Sequence, residues 1–409
     1  MKKIIAALIL VVSFSFAGKG SVYSRFGVGE INLFSSGRAA GMGNTGIGLL
    51  DNTSINLSNP AATGSIARTM LNAGYQFQNF SSADAGGTSV FGTGNINSFA
   101  IAFPVYTPKS MVLSLAALPF SSVGYEQQIG KTFDATTIYQ TFDGRGGISS
   151  AQLSLSYAPA PDLMVGATMH YLFGAIFNDQ EISFSGSDYY NASVNQTLSC
   201  RGFGFTLGGI YSGIDRALGL SSAKDVNLGM TIFTGSSMTL ENETLNNYSS
   251  NTDTVSTGNQ SLELPFGVSL GLAYALNNVN YTAEVNFQNW DSYTIAGVHP
   301  SEIQNSFRIG AGVEFLPAKD FTDSYLQKMA YRFGGYLRQT NVNVNGQSIN
   351  EIFGTAGVGL PISNDSRLNA GLEYGIRGTT SSSLIRDTVL KFVISLSASE
   401  TMFIQPPVE

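Results

Sequence analysis

Asn305-Ser306-Phe307-Arg308-Ile309-Gly310-Ala311-Gly312-Val313-Glu314-Phe315 puts Phe307, Ile309, Ala311, Val313 and Phe315 on one face of an extended chain, and Arg308, Gly310, Gly312 and Glu314 on the other. Side chains of a strand alternate with period two, so this stretch reads as a strand between two unlike surroundings. The pattern recurs towards the C-terminus. Met329, Tyr331, Phe333, Gly335 and Leu337 oppose Arg332, Gly334, Tyr336 and Arg338; Leu368, Ala370, Leu372, Tyr374 and Ile376 oppose Asn369, Gly371, Glu373, Gly375 and Arg377. A last run offers Leu390, Phe392, Ile394 and Leu396.

Working outward, fourteen such segments follow one another, near 68–80, 95–106, 110–126, 146–158, 162–184, 192–212, 224–240, 261–276, 279–292, 304–316, 328–343, 349–362, 366–378 and 385–398. Tight turns follow even-numbered segments: Thr107-Pro108-Lys109, Pro159-Ala160-Pro161-Asp162, Asn277-Asn278 and Ser363-Asn364-Asp365-Ser366. Connections after odd segments are mostly longer and polar, as in 241–260; the even-side stretches 213–223 and 317–327 are exceptions. Short turns at one end and long loops at the other are the mark of an antiparallel up-and-down β-barrel crossing an outer membrane. Closure is required, because in hydrocarbon every backbone donor and acceptor needs a partner and a spanning sheet can have no free edge.

Composition agrees. Only 12% of residues are charged, against 43% apolar, 11% aromatic and 46 glycines. A soluble domain carries about 25% charge, so a water-exposed β-sandwich does not fit. Residues 1–17 read as a signal peptide: Met1-Lys2-Lys3, an apolar run from Ile4 to Val12, and Ser15-Phe16-Ala17 at the cut. Removing Lys2 and Lys3 leaves 19 of 21 basic residues against 28 acids, a net charge of −9 that excludes nucleic acid as a partner. Cys200 is the single cysteine, and His170 and His299 are too few and too scattered for a metal site; no cofactor is expected.

Residues 18–67 do not alternate. They contain Tyr23-Ser24-Arg25-Phe26-Gly27-Val28-Gly29-Glu30, and Gly41, Gly43 and Gly46 in the spacing of a dinucleotide-binding turn. That spacing means nucleotide only between a strand and a helix with an acid about 20 residues on; here Phe34-Ser35-Ser36-Gly37-Arg38 precedes it and Ile66 stands where the acid belongs. Small residues with spaced Phe26, Ile47, Leu49, Leu50, Ile55 and Leu57 suit a compact plug, whose glycines allow close backbone packing in a narrow lumen.

The run from Gly41 to Gly46, then Asp51, then Asn59-Pro60-Ala61, resembles the N-terminal hatch and Asn-Pro-Ala signature of the FadL family of outer-membrane hydrophobic-compound transporters. The tail from Leu368 to Ile404 is similar to FadL-like proteins of Bacteroidetes type. The resemblance implies a hatch at 18–67, a barrel at 68–404 and a tail at 405–409. It also implies passage of a hydrophobic or amphipathic small molecule, of fatty-acid or aromatic class, from the outer loops into the lumen and sideways into membrane lipid, through a kink in the third strand.

Pro119 lies inside that strand and lacks an amide hydrogen, so one ladder bond must be missing there; with Leu118 and Phe120 on the lumen side it is the candidate gate. Glu284, Arg308, Glu314, Arg332, Arg338, Glu373 and Arg377 face the lumen, where unpaired charge is costly; they are expected to pair with one another or with the hatch, for example Asp51 or Glu30. The stretches 179–195 and 241–260 read as polar loops, unlike the apolar outer loops of family members that take long-chain substrates, while 127–144 holds Ile129, Phe133, Ile138, Tyr139 and Phe142. No nucleophile, base and oxyanion set emerges, and His170 and His299 have no evident partner, so no enzyme is expected. The alternative function is a non-transporting barrel whose outer loops dock a protein of a secretion or surface-assembly apparatus; a filled lumen disfavours a general porin.

Overall fold

In the computed structural model the described residues are 18–32, 36–133, 136–185, 190–219, 225–248, 251–318, 324–363 and 366–400. The expected signal peptide and the tail at 405–409 lie outside them. The chain forms a closed, antiparallel barrel of fourteen strands. They are β1 (Thr69–Ala83), β2 (Thr88–Tyr106), β3 in two parts, β3a (Met111–Pro119) and β3b (Ser121–Phe133), β4 (Thr136–Ala160), β5 (Leu163–Phe184), β6 (Ala192–Tyr211) and β7 (Val226–Tyr248). Next come β8, also in two parts, β8a (Asn251–Leu264) and β8b (Gly267–Leu276), β9 (Val279–Gln288), β10 (Ser306–Phe315), β11 (Ala330–Val344), β12 (Gln347–Ser363), β13 (Ser366–Gly378) and β14 (Arg386–Glu400). Pairing of β14 with β1, from Arg386↔Ala83 to Glu400↔Thr69, closes the ring.

The faces fall as the alternation requires. On β10, Phe307, Ile309 and Phe315 are 46–47% exposed on the outer wall, whereas Arg308 and Glu314 are 2% and 1% exposed inside. The outer row continues through Phe333 and Leu337 on β11, Ile352 on β12, Leu372 and Tyr374 on β13, and Leu390 and Phe392 on β14, all exposed. Such a surface is a liability in water and a match to lipid. No helix among the described residues is long and apolar enough to cross a membrane, and the crossing falls to the strands. Asn277 and Asn278, with φ of 47° and 63°, make the two-residue turn between β8b and β9.

The structure corrects the sequence reading at the outer end. The presumed loops 127–144, 179–195 and 241–260 are largely strand: β3b continues to Phe133, β4 starts at Thr136, β7 runs to Tyr248 and β8a starts at Asn251. Strands β4 to β7 have 25, 22, 20 and 23 residues, against 10 each in β9 and β10. A spanning strand needs only about 9–11 residues, so β3b to β8a project as a sheet beyond the bilayer. Towards the tips both faces meet water and period-two hydrophobicity vanishes, while lower down Ile176, Leu240 and Leu262 stay buried in one apolar cluster. Between β11 and β12 the reverse holds: a tight Asn345-Gly346 turn, with φ of 53° and 77°, replaces a longer outer loop.

Candidate functional site

The N-terminal segment is irregular, with short 3-10 turns at Val22–Arg25 and Pro60–Ser65, a two-residue strand Glu30–Ile31 and one helical turn Gly37–Ala40. Its small residues meet inward-facing glycines of the wall. Gly41 lies so near β12 that a Cβ on it would be 2.8 Å from Gly357 Cα. Gly43, at φ +63°, donates its amide to Thr355 Oγ1 at 2.8 Å. Gly46 and Ile47 donate theirs to Glu284 Oε2 at 2.8 and 3.0 Å. All three glycine amides or backbones are thus engaged by barrel residues, and Ile66 is buried among Ile55, Met70 and Ala100.

Asn59, fully buried, caps the Pro60–Ser65 turn through its Oδ1, which accepts from Ala61 N at 3.0 Å. Its Nδ2 donates to Ile47 O at 2.8 Å and to Gly209 O on β6 at 3.3 Å. Pro60 sits at the first turn position, which needs no amide hydrogen, and its ring and carbonyl press on Gly208 and Gly166. Arg25 is exposed, bonds Gln127 Oε1 at 3.2 Å and lies 5.2 Å from the Phe142 ring, while Phe26 packs against the cluster around Val28 and Tyr293.

All seven predicted lumen charges have partners. Arg332 Nε is 2.8 Å from Glu314 Oε1, and Arg38 bridges Glu314 and Asp51. Arg308 contacts Glu284 at 3.3 Å, Asn44 O at 2.9 Å and the Tyr336 ring at 4.9 Å. Arg377 reaches Glu30 at 2.5 Å and Glu351 at 2.7 Å; Arg338 lies 3.8 Å from Glu351, and Glu373 takes Tyr336 OH at 2.9 Å and Lys391 at 3.5 Å. Glu30 therefore meets a strand arginine. Asp51 instead meets Arg38 of its own segment, a residue the sequence reading passed over.

Burial works to raise the Asp51 and Glu30 carboxyls, but the arginines beside them prevail and hold both below the usual carboxylate range. Burial likewise disfavours the charged Arg38 guanidinium, and Asp51 and Glu314 outweigh it, raising its pKa above the ordinary value.

The third strand breaks directly after Pro119. The β2–β3a ladder runs from Tyr106↔Met111 to Phe99↔Ala117 and stops there. Phe120 belongs to neither part; its amide donates to Ile148 O at 2.8 Å. Beyond it β3b turns inward, keeping β4 on one side and pairing Ser121 and Ser122 with Ile31 and Glu30 on the other. Gly146 and Gly147 of β4, at φ +105° and +141°, supply the bend, because an L side chain rarely adopts such angles. A cavity of ≈ 200 Å³ lies beside the break, lined by Leu118, Pro119 and Phe120 with Ile47, Leu57 and Phe233 as its apolar part and Arg308 and His170 among its polar groups.

His170 is better connected than the sequence suggested: Nδ1 is 3.3 Å from Ser150 Oγ and Nε2 is 2.8 Å from Thr206 Oγ1. Both ring nitrogens face hydroxyls, which leaves neither for the carboxylate that orients a base in a serine triad. His299 Nδ1 contacts Tyr293 O at 2.8 Å.

A family model described as BamG matches residues 1–407. No curated protein matches the chain by sequence. Among solved structures, a Pseudomonas aeruginosa FadL homologue is 13% identical with a TM-score of 0.62, covering 90% of this chain and 98% of that one. The Ralstonia pickettii toluene transporter TbuX is 13% identical with a TM-score of 0.61, over 89% and 98% of the two chains. The P. putida toluene transporter TodX is 14% identical with a TM-score of 0.61, over 89% and 98%. At such identities the shared property is the barrel fold.

Proposed function

The chain belongs to the BamG family, and from its barrel fold and wall break we propose a passive outer-membrane channel in which residues 18–67 form the hatch, a hydrophobic or amphipathic small molecule occupies the cavity beside Pro119, and exit is sideways through the wall break between β2 and β3b. The observation that carries this reading is the coincidence of the break with a cavity of mixed lining, in which Leu118, Pro119 and Phe120 join Ile31, Ile47, Leu57, Phe233 and Phe287 as the apolar part. An opening at that height lets a greasy molecule move from lumen to lipid without crossing water. The fold shared with toluene transporters supports the aromatic-hydrocarbon class. Of the lumen arginines, Arg377 reaches the hatch at Glu30 and Arg308 at the Gly43 and Asn44 carbonyls, while Arg332 and Arg338 pair with the barrel carboxylates Glu314 and Glu351.

The test is uptake of a labelled aromatic hydrocarbon and a labelled fatty acid into proteoliposomes carrying wild type or Pro119→Val. Faster uptake by wild type than by the variant supports the gate; equal rates in both remove it, and no uptake in either removes the channel. The projecting sheet of β3b to β8a favours a second reading, a barrel that docks a partner of a secretion or surface-assembly apparatus; chemical cross-linking in intact cells from cysteines on that sheet would capture such a partner.

A further inference from the structure

The wall break leaves backbone without a barrel partner on two sides. On β2, residues between Thr88 and Asn97 pair with β1 along one edge, while the ladder along the other stops at Phe99. On β3b, only Ser121 and Ser122 find the Glu30–Ile31 strand. Edges like these are costly where lipid adjoins them.

The start of the described chain lies in this gap. A Cβ on Gly18 would run into the Gly92 carbonyl and lie 3.3 Å from Thr93 Cα, so Gly18 touches the open edge of β2. Two residues on, Gly20 N donates to Gly124 O of β3b at 2.7 Å, and Gly124 N donates to Ser24 Oγ at 3.1 Å. Residues 18–20 therefore run from one side of the break to the other, in backbone contact that only glycine at 18 permits. Lys19 pairs with Asp143 on β4 and lies 3.7 Å from Glu126 on β3b. Further in, Ser21 Oγ donates to Asp387 Oδ2 on β14 at 2.5 Å, and Tyr23 OH donates to Ile385 O at 2.5 Å.

We propose that residues 18–24 are a strap seated in the break of the barrel wall, so that passage between lumen and bilayer requires this segment to withdraw from β2 and β3b. The requirement for withdrawal rests on the lateral-exit reading; the seating does not. The strap is held unevenly. Ser21 and Tyr23 are buried and anchored, whereas residues 18–20, which bridge the gap, depend on one backbone bond to β3b and the partly exposed Lys19 pair. The outer part can leave while the inner part stays.

The experiment uses the full chain with Cys200→Ser and a single reporter, Gly124→Cys. A Cβ at Gly124 makes ordinary contacts, 3.5 Å from Gly18 O and 3.7 Å from Gly20 N, so the reporter fits and lies beneath the strap. Its rate of alkylation by N-ethylmaleimide is compared between Lys19, Lys19→Arg and Lys19→Glu, the last setting a carboxylate against Asp143 and Glu126. Expected are slow labelling with Lys19 or Lys19→Arg and at least tenfold faster labelling with Lys19→Glu, heat-modifiable migration of the folded barrel being unchanged. Labelling with Lys19 as fast as that of an exposed Thr132→Cys, or no acceleration by Lys19→Glu, overturns the seating. A second pair, Lys19→Cys with Asp143→Cys, joined by a short bis-maleimide, pins the strap. Uptake at least tenfold slower than in the unjoined pair supports the gating role, and equal rates overturn it. If the unjoined pair and wild type both lack uptake, the channel reading and gating by withdrawal fall together, and the alkylation rates still decide the seating.

Discussion

Replacing Arg38 by Met removes the one cation that Asp51 and Glu314 share, at a site where all three side chains are less than a tenth exposed. Glu314 keeps Arg332 at 2.8 Å and Asn280 at 3.0 Å, so it remains neutralised. Asp51 keeps only hydroxyl and amide donors, from Thr53 and Ser54. Stripping one partner from a buried pair costs about 3–5 kcal/mol, because an uncompensated charge is left behind. The low end suits Asp51, which lines an open vestibule with Arg68 and Arg367. At roughly tenfold per 1.4 kcal/mol, a loss of ~3 kcal/mol corresponds to about a hundredfold faster local opening. The loss falls on the attachment of the N-terminal segment, since the barrel ladder is untouched. Hydrogen exchange of the Gly43, Gly46 and Ile47 amides, whose acceptors Thr355 and Glu284 are barrel side chains, reads that attachment directly. Arg38→Met with Asp51→Asn restores neutrality and should recover most of the protection. Exchange in Arg38→Met within threefold of wild type, or a double variant no better protected than the single, would refute the argument that buried charge pairing holds this segment.

Gly357→Leu places a Cβ 2.8 Å from Gly41 Cα and 3.0 Å from Ala370 O, and should loosen the same amides by about 1–3 kcal/mol of overpacking, while Gly354→Leu, with open space at its Cβ, leaves them unchanged. Folded-state pKa values of Asp51 and Glu30 lie below the ordinary 3.8 and 4.5, so their contribution is complete above those values and is lost as pH falls through the lower folded ones. Protection of the segment should be flat from about pH 7 to 5 and decline only below about 4, as exchange corrected for intrinsic rate would show. Ala311→Arg, in the middle of the lipid-facing row of β10, should lower barrel stability in vesicles by about 2–4 kcal/mol in urea titration.

The barrel was legible because lipid imposes a pattern on every crossing strand. Phe307, Ile309 and Phe315 had no other place to face, and Pro119 announced a missing ladder bond before any coordinate. What escaped lies where that constraint lapses. Above the bilayer, Thr252-Asp253-Thr254-Val255-Ser256 pairs with β7 residue by residue, yet water on both sides leaves it with loop-like polarity. Arg38 escaped for a different reason. Its meaning comes from Glu314, 276 positions away, and a lone arginine among Ser36, Gly37 and Ala39 carries no periodic mark. The partner of Glu30 could be guessed only as a class, because register decides which of the inward arginines comes level with it.

The N-terminal segment is attached with unequal strength along its length, and under the proposed function that difference would order its release. The body of the N-terminal segment is fastened by two buried arginine–carboxylate pairs that cross to the barrel, Arg38 with Glu314 and Arg377 with Glu30, and by Arg308 at the Gly43 and Asn44 carbonyls; parting either pair leaves desolvated charge, at about 3–5 kcal/mol. The outer strap depends on Lys19, whose side chain is 31% exposed, and exposed pairs contribute about 1 kcal/mol or less. On the proposed lateral route, a molecule in the cavity beside Phe120 has two parts of the segment to pass: residues 18–20, which are weakly held, and the Glu30–Ile31 strand on Ser121 and Ser122, which Arg377 holds through Glu30. Axial escape would require parting the Arg38, Asp51 and Glu314 cluster. On the proposed route, energetic grounds order the release of residues 18–20 ahead of the Arg38, Asp51 and Glu314 cluster.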